Sequence, residues 1–400
     1  MNLTQFVKDY VVERQESLFA YDIEANKELL LAAIQNTSVL VIGGAGSIGS
    51  SFIREILKFG PKKLVVVDLN ENGLAELTRD LRSSNSVKVP DIYLTYTLDF
   101  SDPIFEKLFR EHGGFDIVAN FSAHKHVRSE KDRYSVEALL KNNVIKAKKL
   151  LDLLCEFPPK HFFCVSTDKA ANPVNVMGAS KRVMEDLIMA YKQNFKVTTA
   201  RFANVAFSNG SLPNSFFDRI MKNQPLVAPK DVKRYFVSME ESGQICMLAC
   251  ILGNSGEVFF PKLDKEAMKT FSSICDDFVR EMGFEKYECS CDEDAKLFAA
   301  KHLPGKKYPV VYFNSDTTGE KDYEEFVVDG EKSDCNRFNS LGVITESQHA
   351  SKAEVEQFIL RLETLFHNPN FTKAQIVECL QDFLPNFEHE EKGKNLDQKM

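Results

Sequence analysis

The sequence contains no tryptophan, no apolar run long enough to cross a lipid bilayer and no excess of basic residues. A membrane-spanning helix needs about 20 consecutive apolar residues, and the longest runs, such as residues 29–34, are far shorter. Residues 1–17 carry charges throughout and lack the apolar centre of a signal peptide. The net charge of −8 disfavours nucleic-acid binding through a basic surface. We therefore expect a cytoplasmic protein that binds neither membranes nor nucleic acid.

Cysteine is present but is not arranged for disulfides or zinc. The nine cysteines are scattered through the chain, and Cys289 and Cys291 form a C-x-C pair with no second pair at zinc spacing. We therefore predict reduced thiols and no metal site. The composition, with 44% hydrophobic and 27% charged residues, is typical of a globular protein, and 400 residues allow two or three domains.

The order of short apolar runs and helical segments predicts an α/β fold. Runs rich in β-branched residues indicate strands buried on both faces of a parallel sheet, and we predict six of them, at 38–42, 63–67, 92–96, 116–120, 161–166 and 197–202. Strands and helices that alternate in this way predict a doubly wound, Rossmann-like sheet. Four units are predicted. A helical extension over 1–36, with Asp22 as a helix N-cap, precedes a Rossmann-like domain over 37–205. A smaller, partly interleaved substrate-binding region with C-terminal helices follows over 206–385, and a polar tail covers 386–400.

A glycine-rich loop follows the first predicted strand and begins a helix. Its G-x-x-G-x-x-G spacing lets the backbone approach a pyrophosphate, and the helix N-terminus supplies free N–H groups. Asp68 ends the second strand, where a carboxylate binds ribose hydroxyls and repels a 2′-phosphate, so we predict NAD rather than NADP. Asp99 follows the third strand and is predicted to contact the adenine amino group. The predicted cofactor-binding residues in this part of the chain are Gly43, Gly46, Ser47, Ile48, Gly49, Asp68 and Asp99.

The segment STDKAANPVNVMGASKR, residues 166–182, places ionisable side chains after the fifth strand. Asp168 and Lys169 lie at the carboxyl edge of the sheet, where doubly wound folds bind ligands. An elimination needs a base for a C–H and an acid for the departing hydroxyl, and this pair supplies both. Lys181 lies four residues after Met177 on one helix face, but a methionine transfers no proton. A non-catalytic NAD-binding sensor is therefore the alternative to an enzyme.

These motifs resemble the extended short-chain dehydrogenase/reductases, with Met177 where their active-site tyrosine stands. Residues 166–182 are more closely similar to nucleotide-sugar 4,6-dehydratases, in particular soluble UDP-N-acetylglucosamine 4,6-dehydratases of bacterial polysaccharide biosynthesis. The resemblance extends over roughly residues 37–260 and includes GGAGSIGS, SAHKHV, NNV and RFANV. Nucleotide-sugar 4-epimerases are the second enzyme class, but they usually keep the tyrosine and carry small residues in place of Asp168 and Lys169.

The resemblance implies a role for each residue of the segment. Tightly bound NAD would take a hydride from C4 of the sugar, return it to C6 and be recycled in each turnover. Lys169 would remove the C5 proton, Asp168 would protonate the departing C6 hydroxyl, Thr167 would bind the C4 oxygen and Lys181 would bind the nicotinamide ribose. Because Met177 replaces the tyrosine, the base for the C4 hydroxyl is left open between Asp168 and water relayed to Lys181.

Further contacts with a nucleotide-sugar substrate are expected after the fourth and sixth strands. His124 and Lys125 are expected near the nicotinamide and sugar, and Asn204 near the diphosphate. Arg234 is a candidate diphosphate ligand, because a guanidinium can bind two phosphate oxygens. Residues 315–326 would cover the sugar or contact a second copy. By resemblance, the helices at about 134–156 and 178–194 would pair the chain as a homodimer or higher oligomer.

Overall fold

The computed structural model of the chain describes residues 1–126, 130–315 and 325–389. Most of the chain surrounds one large sheet, and a smaller lobe carries a second sheet. The strands are β1 (Ser38–Ile42), β2 (Lys63–Asp68), β3 (Ile92–Thr97), β4 (Ile117–Asn120), β5 (His161–Val165), β6 (Val197–Ala200), β7 (Asn204–Val205), β8 (Leu226–Pro229), β9 (Lys233–Arg234), β10 (Phe236–Val237), β11 (Glu257–Pro261), β12 (Lys269–Thr270), β13 (Glu285–Cys289), β14 (Lys307–Phe313), β15 (Lys332–Asp334) and β16 (Leu341–Glu346).

Helices cover both faces of the large sheet and also pack on the sheet of the lobe. The helices are α1 (Leu3–Phe6), α2 (Ala20–Ala25), α3 (Lys27–Ile34), α4 (Ser47–Leu57), α5 (Glu71–Ser83), α6 (Pro103–Glu111), α7 (Arg133–Leu140), α8 (Lys146–Leu154), α9 (Val176–Met189), α10 (Leu212–Met221), α11 (Met239–Leu252), α12 (Phe271–Glu281), α13 (Asp292–His302), α14 (Lys352–His367) and α15 (Lys373–Phe383). A π-helical turn at Lys141–Ile145 joins α7 to α8, and a 3₁₀ turn at Asp168–Ala170 precedes α9.

The large sheet has nine strands in the order β15-β16-β11-β6-β5-β4-β1-β2-β3. All neighbours from β3 to β11 are parallel, and β16 adds an antiparallel strand. The predicted doubly wound α/β class is therefore confirmed. The strands β11, β15 and β16 come from residues 206–385, so that region is interleaved with the sheet of the first domain. The domain boundaries themselves stay predictions.

The smaller lobe contains the parallel sheet β13-β14-β8, against which α10 and α12 pack. The N-terminal extension joins this lobe to the large sheet. Phe6 packs on Phe278, with ring centroids 5.9 Å apart, while Arg14 bonds Glu241 of α11. Asp22 is not the predicted N-cap. It lies inside α2, and its carboxylate accepts hydrogen bonds from the backbone N–H groups of residues 339 and 340.

The C-terminal helices cover the surface that we expected to bind a second copy. α14 packs on α9 and α15 packs on α7, and Leu187 of α9 shares one apolar cluster with Phe358 and Leu362 of α14. The His349 Nδ1 atom lies 2.8 Å from the Asp186 carboxylate at the same junction. Nearly every residue of α9 is buried within the chain itself. α9 therefore offers little free surface to a second copy, and the homo-oligomer and its pairing helices stay predictions.

Candidate active site

The glycine loop between β1 and α4 passes so close to its neighbours that side chains have no room. Gly43 has a φ of +74°, and a Cβ there would lie 2.7 Å from the backbone nitrogen of Ser122. α4 begins at Ser47 directly after Gly46, and no described side chain caps it. Its first N–H groups therefore remain available at the positive end of the helix dipole. This loop has the shape and the donors that a pyrophosphate requires.

The two predicted adenosine contacts have different surroundings. Asp68, at the end of β2, accepts hydrogen bonds of 2.9 Å from the backbone nitrogens of Ala45 and Asn70, so its carboxylate is held beside the glycine loop. Asp99 instead forms an ion pair with Lys146. Burial alone would raise the pKa of Asp99, but the hydrogen bonds from Lys146 and from Ser101 outweigh burial and lower it. Asp99 thus has a partner that the sequence did not reveal.

The residues after β5 form a compact hydrogen-bonded group. Thr167 precedes the 3₁₀ turn, and its Oγ1 donates to the Asp168 carboxylate at 2.5 Å. The Lys169 Nζ lies 3.2 Å from both carboxylate oxygens of Asp168. The Asp168 side chain is 3% exposed, whereas that of Lys169 is 29% exposed. A carboxylate, an ammonium and a hydroxyl therefore adjoin one another, with the ammonium in contact with solvent.

Helix α9 carries the pair that resembles the dehydrogenase/reductase motif. Asn175 caps the helix by accepting a hydrogen bond of 2.7 Å from the Gly178 backbone nitrogen. One turn further on, the buried Lys181 Nζ donates to the Val165 carbonyl oxygen at 3.0 Å. Burial lowers the pKa of Lys181. Because that carbonyl ends β5, the hydrogen bond ties α9 to the strand that leads into Thr167 and Asp168.

A cavity of about 930 Å³ lies between the carboxyl edge of the large sheet and the smaller lobe. We name its two sides by the elements that supply them. The sheet wall consists of Lys125, Thr167, Lys169, Met177, Lys181 and Asn204. The lobe wall consists of Ser211, Asn214, Ser215, Asp218, Arg219, Val227, Phe271 and Phe313.

The structure brings six of the nine residues predicted to be catalytic or substrate-binding to the sheet wall. Asp168 does not line the cavity, but it is bonded to Thr167 and Lys169, which do. His124 and Arg234 also lie outside the cavity lining, and the Arg234 Nη1 donates to the Lys233 carbonyl oxygen. The cover predicted for residues 315–326 falls, at positions 316–324, outside the described residues.

Sequence reasoning missed the role of Asn143, although its NNV motif was visible. Asn143 lies in the π-helical turn and is 3% exposed. Its side-chain oxygen accepts from the backbone nitrogen of His124 at 2.9 Å, and its amide nitrogen donates to the His124 carbonyl and to the Ser180 Oγ, both at 3.0 Å. Ser180 Oγ in turn donates to the Met177 carbonyl. This one amide therefore joins the loop after β4 to α9.

A buried network of ion pairs joins α9 to the segment that precedes Thr167. Arg201 is fully buried, and its guanidinium lies 2.7 Å from the Glu185 carboxylate and 2.8 Å from that of Glu331. Burial alone would raise the pKa of Glu185, but Arg201 outweighs burial and holds it at about 2. Glu185 also accepts a hydrogen bond of 2.6 Å from Ser166 Oγ. The network therefore links α9 to the residue that immediately precedes Thr167.

Along the described ranges, no helix has the length and apolar character needed to cross a membrane. The same residues contain no group of three or more histidine, cysteine, aspartate or glutamate side chains that could hold a metal ion.

The strand order, the glycine loop and the Met177–Lys181 pair on α9 define a Rossmann-like protein of the extended short-chain dehydrogenase/reductase type. The family model described as "Polysaccharide biosynthesis protein" matches residues 39–346, and the chain belongs to that family. The expected resemblance to nucleotide-sugar 4,6-dehydratases is confirmed.

Individual proteins show how far the similarity extends. An uncharacterized membrane protein of Methanocaldococcus jannaschii, MJ1061, is 30% identical over 78% of this chain and 86% of its own length. The UDP-N-acetylglucosamine 4,6-dehydratase (inverting) of Campylobacter jejuni is 26% identical over 56% of this chain and 67% of its own length. The solved structure of Pen from Bacillus thuringiensis superposes with a TM-score of 0.62 over 83% of this chain and 99% of its own, at 21% identity, which shows a shared fold.

Proposed function

We propose that the chain catalyses the NAD-dependent 4,6-dehydration of a nucleotide-activated N-acetylhexosamine. The proposed substrate is UDP-N-acetylglucosamine, and the product is the UDP-2-acetamido-2,6-dideoxy-4-keto-hexose. The observation that carries the proposal is the group formed by Thr167, Asp168 and Lys169 at the cavity. A 4-epimerase needs no such acid–ammonium pair, and neither does an NAD-binding sensor.

The glycine loop fits NAD, since its backbone leaves a cradle at the uncapped N-terminus of α4. Gly43, Gly46 and Gly49 would hold the pyrophosphate, Asp68 the adenosine ribose and Lys181 the nicotinamide ribose. Bound NAD would supply the hydride acceptor for C4 and the hydride donor for C6. The remaining chemistry consists of proton transfers that this chain's own side chains can perform.

The contacts of Asp168 offer the proton of the C4 hydroxyl a route that needs no tyrosine. Thr167 lines the cavity and donates to Asp168, so a proton leaving the C4 hydroxyl can reach the buried carboxylate through the Thr167 hydroxyl. Asp168 then passes this proton to the C6 hydroxyl, which departs as water. Lys169, acting as the neutral amine, takes the C5 proton and becomes an ammonium, which exchanges with solvent and donates a proton back to C5 after C6 is reduced. In this scheme both residues end each turnover in their starting protonation states.

Mass spectrometry after incubation with UDP-N-acetylglucosamine, and with its GDP analogue, tests the proposal. Dehydration lowers the product mass by one water, whereas epimerisation leaves the mass unchanged. A sensor would retain NAD and convert neither compound. Lys169→Ala serves as the control, because it should keep NAD while losing the product. An unchanged mass with both compounds would reject a dehydratase acting on N-acetylglucosamine nucleotides.

A further inference from the structure

The carboxyl group of Glu130 is buried and holds the first turn of α9. Glu130 lies between β4 and α7 and is 6% exposed. Its Oε1 accepts a hydrogen bond of 3.0 Å from the backbone nitrogen of Met177. Across the described residues, no group donates to its Oε2. Glu130 does not line the cavity, so it bears on the site through the main chain of α9.

This carboxyl group is an addition to the ordinary cap of α9. Asn175, the residue just before the helix, already accepts from the Gly178 nitrogen. The helices α7 and α12 are capped in the same way, by Asp132 and Thr270. Glu130 is a second acceptor and stands 47 positions before its donor. An acceptor from a remote segment fixes the helix relative to the rest of the fold, which a cap from the adjacent residue does not do.

Stability alone does not favour a carboxyl group in these surroundings. Burying a charged group costs free energy unless hydrogen bonds compensate for the lost water. Burial raises the pKa of Glu130, and the hydrogen bonds from the backbone of Met177 and Val176 offset this shift only in part. Folds accept such local costs mainly at functional sites. A functional reason for Glu130 is therefore to be sought in the helix that it holds.

The first two turns of α9 supply two residues of the sheet wall. Met177 and Lys181 both line the cavity, and the Lys181 Nζ donates to the Val165 carbonyl oxygen at 3.0 Å. A helix attached at one point can still pivot, whereas attachment at Met177 and at Lys181 fixes its direction. A displacement of about 1 Å at a catalytic site can lower the rate by about 100-fold. The bond from Met177 to Glu130 therefore matters for the rate as well as for the fold.

We propose that Glu130 is a positioning residue of the reaction, which holds the Met177 amide and so fixes the direction of α9 and the place of Lys181 beside the nicotinamide ribose. This assignment rests on the proposed dehydration and adds a residue on which it depends. Because the donors are backbone N–H groups, the reaction requires an acceptor oxygen at the right distance and does not require its negative charge.

Steady-state kinetics of full-length variants tests the proposal, with each variant measured below its unfolding temperature. Glu130→Ala removes the acceptor and should lower the kcat for dehydration by about 10- to 100-fold while KM changes by less than about threefold. Glu130→Gln keeps an acceptor oxygen at the same reach and should restore most of the lost kcat. Glu130→Asp keeps the charge but is one methylene shorter, so its kcat should resemble that of Glu130→Ala. Glu130→Asp also replaces Glu130→Ala if the alanine variant does not fold.

The fluorescence of bound NADH gives a second readout that needs no turnover. If Lys181 shifts relative to the nicotinamide ribose, the emission of bound NADH should change in Glu130→Ala and return to the wild-type value in Glu130→Gln. Glu356→Ala is the matched control, because this exposed glutamate of α14 lies outside the cavity lining. It should leave both the kcat and the emission unchanged.

Two results would overturn the role of Glu130. A wild-type kcat in Glu130→Ala and Glu130→Asp, whatever their unfolding temperatures, would leave the residue a structural role only. A loss in Glu130→Gln as large as that in Glu130→Ala would show that the charge is required. If the wild-type chain binds NADH but forms no dehydrated product, the proposed function fails, and the emission of the variants still decides the role of Glu130. A wild-type chain that binds no NADH would overturn both.

Discussion

The two walls of the cavity differ in how far their residues can be recognised in the sequence. The sheet wall is built from short motifs at the ends of β4, β5 and β6 and on α9, and each of these motifs can be recognised in the sequence. The lobe wall takes five of its eight residues from α10 and its N-cap and the other three from β8, α12 and β14, and none of the eight belongs to a recognised sequence motif. In our account the chemistry belongs to the sheet wall and not to the lobe wall. The experiments below test this division, beginning with the largest expected effect.

The strongest test of the sheet wall is removal of its proton carriers. Lys169→Ala and Asp168→Asn should each lower the dehydration rate by about 10²- to 10⁴-fold, the contribution of a positioned acid or base. Both variants should keep the wild-type fold and NAD content, because neither residue lies at the glycine loop. Circular dichroism, NAD released on denaturation and product formation measure these three properties.

Lys192→Ala is a suitable control for the lysine substitution, because Lys192 is exposed and lies outside the cavity lining. Full activity in both the Lys169 and the Asp168 variants would move the chemistry away from residues 166–182. It would also remove the distinction between the two walls.

A second effect is expected at Asn143, whose side chain joins the loop after β4 to α9. Asn143→Asp keeps the acceptor for the His124 backbone nitrogen but loses the donors to the His124 carbonyl and to Ser180. We expect the free energy of unfolding to fall by about 1–3 kcal/mol and the kcat for dehydration to fall more than the KM changes. Urea unfolding and steady-state kinetics measure both.

Ser180→Ala removes one hydrogen bond of Asn143 and should therefore have a smaller effect than Asn143→Asp. If Asn143→Asp lowered stability but left kcat unchanged, the amide would hold the fold without positioning the site.

The sequence predicted those parts of the site that local patterns determine. The β-branched runs gave the parallel strands, and the glycine spacing located the loop before α4. Two features could not be predicted: the ion pair of Asp99 with Lys146, and the packing of α14 on α9 and of α15 on α7. In both cases the partners are remote in sequence and come together only in the folded chain.

A smaller effect concerns the cofactor. Asp68→Ala should weaken NAD binding by about 1–3 kcal/mol, the range for a lost hydrogen bond to a charged group. Asp68→Asn should raise the relative affinity for NADP, because it removes the charge that repels a 2′-phosphate. Fluorescence titration with both dinucleotides measures these changes. Recovery of mainly NADP from the purified wild-type protein would contradict the assignment of Asp68.

The smallest effect is expected at Met177, which lines the sheet wall but transfers no proton. Met177→Ala should retain measurable dehydration, since Thr167 and Asp168 are proposed to handle the C4 hydroxyl proton. The same product assay, run beside Lys169→Ala, makes the comparison. A loss as deep as that in Asp168→Asn would give Met177 a role that our scheme lacks.

Dehydration in D₂O tests the central claim most directly, because the scheme assigns a separate source to each new C–H bond. Lys169 exchanges its protons with solvent, so the product should carry one deuterium at C5. The hydrogen added to C6 should derive from C4 of the same sugar molecule and contain no solvent deuterium. Mass spectrometry and NMR of the product distinguish these positions. A product with one deuterium at C5 and none at C6 is the predicted result, and solvent deuterium at C6 would contradict the account.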